Sequence, residues 1–216
     1  MKPASKQTIT GLILAGGRGR RMGSIDKGLA PFGGRPLIDH VIERLAPQVD
    51  RLLVNANRNL EHYARFGSPV IADRIDGFAG PLAGLEAGLA ACPTPYLVCA
   101  PCDSPFLPPD LVSRLADTLT AAKASVAVAR TGDRLHPVFS LMRTDELPDL
   151  QAFMRAGGRR FESWLQRLKW VPCPFDDAPD AFANINTPEE LRAHEAGDPP
   201  RCKPSPHSLL TTPAPP

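Results

Sequence analysis

Apolar runs of strand length recur along the chain and alternate with stretches of helical periodicity. Ile9 to Ala15, Arg51 to Asn55, Pro69 to Asp73, Tyr96 to Ala100 and Ser125 to Ala129 read as strands, the first of them apolar enough to be buried. Between the first two, Leu37, Ile38, Val41, Ile42 and Leu45 fall on one helical face after Pro36, a favourable first-turn residue. Leu82 to Ala91 predicts another, largely apolar helix. Such strand–helix–strand punctuation predicts an α/β fold, a Rossmann-like three-layer sandwich with a mostly parallel central sheet, whose ligands bind beyond the carboxyl ends of the strands. Past Arg130 the pattern loosens into a short strand at Val138 to Met142, helices near Asp145 to Arg155 and Phe161 to Lys169, and a last helix from Thr187. At least one antiparallel strand is expected there.

The residues just after each strand carry the chemistry. The first strand runs into Leu14-Ala-Gly-Gly-Arg-Gly-Arg-Arg-Met-Gly23, with Lys27 shortly beyond. Its glycines allow close backbone approach, and Arg18, Arg20, Arg21 and Lys27 gather positive charge, which suits a nucleoside triphosphate; the alternative is an arginine-rich surface turn. A dinucleotide fingerprint starting at Gly17 would need glycine where Met22 stands, and no Walker A pattern occurs, so neither a Rossmann dehydrogenase nor a P-loop ATPase is favoured. The second strand delivers Asn55, able to meet a sugar or base edge or merely to end the strand. The third delivers Asp73, a partner for ribose or base, or a turn-forming residue. The fourth delivers Asp103 at a rigid corner before Ser104-Pro105, suited to a hard cation such as Mg²⁺ or to capping.

Other segments each have two readings. Gly80-Pro-Leu-Ala-Gly84 opens the apolar helix, and its glycines serve ligand approach, a tight turn with close packing through Gly84 and Gly88, or both. Asn184-Ile-Asn186 places two amides on one face of an extended segment, and Thr187 caps the last helix before Pro188. His136 beside Arg134 contributes to an anion pocket or is an ordinary satisfied histidine; Arg159-Arg160 clamps a second phosphate or starts a solvated helix. Cys99-Ala-Pro-Cys102 has the spacing of a redox pair or half a zinc site, but no second pair accompanies it. Packing at a strand end explains it more simply.

Composition narrows the choices. The 216 residues and 43% hydrophobic content suffice for one sizeable core, and a net charge of +2 gives no global reason to expect nucleic acid or an anionic membrane as partner. The local arginine cluster therefore points to a small anionic ligand. Five cysteines, an odd number in a chain this large, are expected as reduced thiols. The polar N-terminus lacks the apolar core of a signal peptide and no apolar run is long enough to cross a bilayer, so a cytoplasmic protein is expected. Residues 1–7 read as a flexible N-terminus and 8–196 as a single domain. Seven of the 25 prolines fall in Pro199 to Pro216, so 197–216 reads as a disordered tail.

Collected in order, Leu14-Ala-Gly-Gly17, Arg21-Met-Gly23, Asp26-Lys27-Gly28, Asn55-Ala-Asn57, Gly80-Pro-Leu-Ala-Gly84, Cys102-Asp103 and Asn184-Ile-Asn-Thr-Pro188 resemble the molybdenum cofactor guanylyltransferases, the MobA-type branch of the nucleotidyltransferase superfamily. The resemblance spans Thr8 to Glu195 and implies a sheet of the nucleotidyltransferase type. It implies that Leu14, Ala15, Gly16 and Gly17 line a GTP site with Lys27, Asn55, Asp73 and Asp103, that Asp103 holds Mg²⁺, and that Arg21 acts on the phosphates beside Lys27 and Asp103. Asn184 and Asn186 match pterin-side or catalytic amides. The implied reaction joins GMP from GTP to the terminal phosphate of molybdenum-loaded molybdopterin and releases pyrophosphate. A monomer is expected, with cofactor-synthesis proteins or recipient molybdoenzymes as reasonable contacts. The proline-rich tail lies outside the resemblance.

The residues agree with that chemistry. A phosphate monoester is already an anionic nucleophile near neutral pH, so charge repulsion rather than proton removal is the obstacle, and cations must be placed where charge develops. A sugar-phosphate or cytidylyl transferase would share the first loop and Asp103, and a nucleotide-binding regulator would share the binding groups without turnover. A glycosyltransferase is disfavoured because Cys102-Asp103-Ser104 presents one acid rather than two.

Overall fold

Alternation along the strands decides how the sheet is covered. In β1 (Ile9–Leu14), Ile9 and Ile13 enter one apolar cluster and Leu12 the other. Val98 and Ala100 likewise separate from Leu97 and Cys99 in the central strand that follows, as a strand period of two requires. The sheet is thus buried on both faces, the expected three layers. The computed structural model describes residues 8–16, 26–75, 80–185 and 187–195.

From β1 the chain passes through a two-stranded hairpin, β2 (Pro31–Phe32) and β3 (Arg35–Pro36), into α1 (Leu37–Leu45), β4 (Arg51–Asn55), α2 (Leu60–Ala64), β5 (Val70–Ile71), α3 (Pro81–Ala91) and β6 (Tyr96–Pro101). Next come α4 (Leu111–Ala122), β7 (Val126–Thr131), β8 (Arg134–Arg143), α5 (Leu147–Arg155), α6 (Phe161–Leu165), β9 (Trp170–Pro174) and α7 (Pro188–Glu195). The main sheet has seven strands in the order β5-β4-β1-β6-β8-β7-β9. Pairings β1 with β4 and β6, β4 with β5, and β7 with β9 are parallel, while β8 runs against both of its neighbours. Residues of α1 and α4 cover one face and those of α3, α5 and α6 the other.

Three element boundaries depart from the periodicity. The third strand, read as Pro69 to Asp73, pairs only at Val70–Ile71, because it is an edge strand whose chain turns away at Asp73 to meet Asn57. The helix read as Phe161 to Lys169 ends at Leu165, where the backbone tightens so that Arg167 and Leu168 donate to carbonyls three residues back before the chain enters β9. The strand read as Val138 to Met142 begins at Arg134, since Gly132-Asp133 closes a two-residue hairpin with Gly132 at φ +53°. Pro137 is accommodated in β8 because the register slips between Val128 and Ala129, leaving 137–139 unpaired with β7. On the other side, β8 meets β6 only through Ser140–Arg143 against Cys99–Tyr96.

Candidate active site

Parallel strands bring the ends of β1, β4, β5 and β6 to one edge, and β1 holds both neighbours one residue past its own end. Ala15 N–H donates to Asn55 O at 2.8 Å, and Cys102 N–H donates to Leu14 O at 3.1 Å. Gly16, exposed, is the last residue described before the glycine and arginine loop; Gly17, Arg18, Arg20 and Arg21 lie outside the described residues, as does Asn186. The chain re-enters at Asp26, whose buried carboxylate accepts from the buried Tyr63 hydroxyl and from Asn59 Nδ2 at 3.0 Å. That anchor fixes where Lys27 emerges. Gly28 completes it, because a Cβ there would lie 2.6 Å from Tyr63 Oη.

Lys27 Nζ donates to Asp103 Oδ2 at 3.2 Å, joining the exit of the first loop to the end of β6. Asp103 is 7% exposed, and its Oδ1 is buried with no hydrogen-bond partner among the described residues. Burial raises the pKa of this carboxyl above its ordinary value, Lys27 opposes the rise, and Glu190 on α7 adds to it. An ionised carboxylate so placed calls for positive charge at Oδ1. No cluster of three or more His, Cys, Asp or Glu is found among the described residues, so a cation here would need its other ligands from amides, water or a bound phosphate. This suits Mg²⁺, which takes one or two carboxylates together with substrate phosphates.

The other end of the edge is an amide–carboxylate network. Buried Asn55 donates from Nδ2 to Asp73 Oδ1 at 2.9 Å, and Asn57 donates from Nδ2 to Asp73 Oδ2 at 2.8 Å. Asp73 N–H donates back to Asn57 Oδ1 at 2.8 Å. The two residues read from the strand ends, Asn55 and Asp73, are thus partners of each other. Strand-end logic passes over Asn57, although its position two residues after Asn55 is a legible signal. Gly84 on α3 shows the close packing that one of the two readings of Gly80–Gly84 expects: a Cβ there would lie 2.2 Å from Asn55 Oδ1 and 2.8 Å from Leu14 Cδ2.

The C-terminal amide segment docks onto the β6 end. Asn184 Oδ1 accepts from Ser104 Oγ at 2.7 Å, and Ile185 N–H donates to Asp103 O at 2.9 Å, so Asn184 stands beside the Lys27–Asp103 pair. Thr187 caps α7, accepting from Glu190 N–H at 3.1 Å. Two other candidates make contacts of their own. His136 is buried, bonded to Thr131 Oγ1 at 2.8 Å and stacked on Phe182; burial first, then Arg134, pushes its pKa down to about 4, so it is neutral and lends no charge to an anion. Arg159 donates to the carbonyls of Met154 and Gly158. Cys99 and Cys102 are free thiols, both buried and both held protonated by that burial, as strand-end packing predicts. No helix among the described residues is long and apolar enough to cross a membrane.

A family model described as the MobA-like NTP transferase domain matches residues 11–171. A molybdenum cofactor guanylyltransferase of Cupriavidus pinatubonensis is 53% identical over 198 residues, covering 89% of this chain and 99% of the relative. One from Bordetella pertussis is 52% identical over 191 residues, covering 87% and 96%. Among solved structures, molybdopterin-guanine dinucleotide biosynthesis protein A of Archaeoglobus fulgidus superposes with a TM-score of 0.73 at 26% identity, over 87% of this chain and 97% of that one. A 4-diphosphocytidyl-2C-methyl-D-erythritol synthase of Anaerococcus prevotii, at 12% identity and TM-score 0.66 over 88% and 96%, shares the fold.

Proposed function

Because the chain belongs to the MobA-like NTP transferase family and is a nucleotidyltransferase with the molybdenum cofactor guanylyltransferases as relatives, we propose that it transfers GMP from GTP to the terminal phosphate of molybdenum-loaded molybdopterin. An oxygen of the acceptor phosphate attacks the α-phosphorus of GTP, the bond from that phosphorus to the bridging oxygen breaks, and pyrophosphate leaves. The observation that carries this reading is the Lys27–Asp103 pair, which ties the exit of the first loop to the end of β6, with Asp103 Oδ1 buried and unpartnered among the described residues.

Asp103 is the residue that would hold Mg²⁺, with the Asn184 segment bonded alongside it. The ion supplies charge neutralisation on the phosphates and polarisation of the reacting phosphorus. Lys27 contributes a fixed ammonium where negative charge gathers, and Arg21 is assigned to the phosphates with it. Leu14, Ala15, Gly16 and Gly17 give backbone along which the nucleotide lies. Asn55 and Asp73 serve the sugar and base end, and Asn184 and Asn186 the pterin side. No residue need act as a strong base, since the acceptor phosphate is ionised near neutral pH.

Incubation with GTP, Mg²⁺ and molybdenum-loaded molybdopterin, followed by mass analysis, tests the assignment. A product heavier by one guanylyl group, with stoichiometric pyrophosphate, is expected. Transfer from CTP in place of GTP, or GTP binding without pyrophosphate release, would overturn it.

A further inference from the structure

Asn57 is exposed, yet both polar atoms of its carboxamide are engaged, one with each part of a single residue. It grips the Asp73 carboxylate through Nδ2 and the Asp73 backbone N–H through Oδ1, both at 2.8 Å. A Cβ on Gly16 would come within 3.0 Å of the same Nδ2, so the amide is wedged between the end of β1 and the turn after β5. Asn55 holds the opposite carboxylate oxygen at 2.9 Å.

An ionised carboxylate offers about four acceptor positions, so the two amide donors found among the described residues, one on each oxygen, leave one position open on each. Because both oxygens are tethered, the group cannot rotate to offer a single oxygen to a single donor. What remains is a fixed pair of neighbouring acceptors. Guanine presents two adjacent donors, its ring N–H and exocyclic amino group; hypoxanthine lacks the amino group, and adenine places an acceptor at the ring position. Strand order puts β5 three spacings from β6, about 14 Å from the Lys27–Asp103 pair, which is the base end of a nucleotide whose phosphates lie at that pair.

We propose that Asn57 is a positioning residue for guanine selection, acting through Asp73; this rests on the guanylyl-transfer reading above. The measurement is nucleotide binding by calorimetry alongside steady-state kinetics, with GTP and ITP, on the full chain, Asn57→Ala, the isosteric Asn57→Asp, Asp73→Ala and the double variant Asn57→Ala/Asp73→Ala. Asn57→Ala is expected to raise Kd and KM for GTP about tenfold or more, with a smaller change in kcat, and to narrow the preference for GTP over ITP. Asn57→Asp sets a second carboxylate against Asp73 and is expected to weaken GTP binding further than alanine does. In the Asp73→Ala background, Asn57→Ala is expected to add little.

An unchanged GTP to ITP ratio in Asn57→Ala, or a full additional loss in the Asp73→Ala background, overturns the proposal. So does a weakened affinity that follows a lowered unfolding midpoint with the ratio intact. Wild-type protein that binds GTP in preference to ITP without transferring guanylyl would count against the reaction and leave the Asn57 assignment to be decided by the binding series. Failure to bind GTP at all removes both.

Discussion

At the scale of single residues, Asp103 shows a conflict between stability and chemistry. Its carboxyl titrates above the ordinary range because it is buried, so the stabilisation of its protonated form is present below about pH 4 and is lost as pH rises through the folded value. At neutral pH the ionised group is a cost that Lys27 only partly offsets. Asp103→Asn is therefore expected to raise the thermal midpoint in the absence of nucleotide while pyrophosphate release falls at least ~10²-fold, the size of losing one preorganised charge partner. Lys27→Ala is expected to lose rate by a similar factor; an unchanged rate would place Lys27 outside the reacting region. Asn55, Asp73 and Asp103 were legible from sequence as polar residues closing apolar runs, and Lys27 as part of the positive charge gathered after the first of them. Their pairing was not, since Lys27 and Asp103 lie 76 residues apart and Asn55 and Asp73 lie 18 apart, and only strand order brings them together.

Among the elements, α3 shows how spacing that looks like ligand chemistry can answer a packing need. Gly84 and Gly88 lie one turn apart on the helix face against the sheet, where Cβ atoms would meet Asn55 Oδ1 at 2.2 Å and Leu12 Cδ2 at 2.3 Å. Each glycine-to-alanine change forces the helix or its neighbour to move, at a cost of about 1–3 kcal/mol in a close-packed interior, measurable by urea unfolding. Their functional effects should differ. Gly84→Ala presses on Asn55 and Leu14 and is expected to raise KM for GTP, whereas Gly88→Ala presses most closely on Leu12 and is expected to leave KM close to wild type. Apolar periodicity located α1, α3 and the strands β1, β4, β6 and β7 well because burial on both faces writes long apolar runs. It passed over α4, α2, β9 and the β2–β3 hairpin. Two-residue strands carry no period, and β9 is broken by Pro172 and Pro174. The β7–β8 hairpin had a readable Gly132-Asp133 turn, obscured by Pro137 within the second strand.

For the molecule as a whole, pH acts on packing through His136. Folded, the imidazole is neutral down to about 4 because it is buried beside Phe182 and near Arg134. Unfolded, it protonates near 6.5, so its contribution is complete above that pH and is lost as pH falls toward 4, an effect of up to about 3 kcal/mol. Urea midpoints at pH 7 and pH 5 are expected to differ less in His136→Asn than in the wild type. The three-layer sandwich was readable from punctuation alone, but the reversal of β8 inside the sheet depends on which strand edges remain free, which no local pattern records. That reversal leaves the sheet zipped only part of the way. Beyond Cys99, β6 has no ladder to β8, and residues 137–139 bond to neither neighbouring strand as ladder partners. Deuterium exchange is expected to reach the amides of Val138 and Phe139 well before those of Ser140 to Met142. The protein would then breathe first along the β8 flank of the β6 end that carries Asp103, while the ladders of β1 with β4 and β6 stay shut.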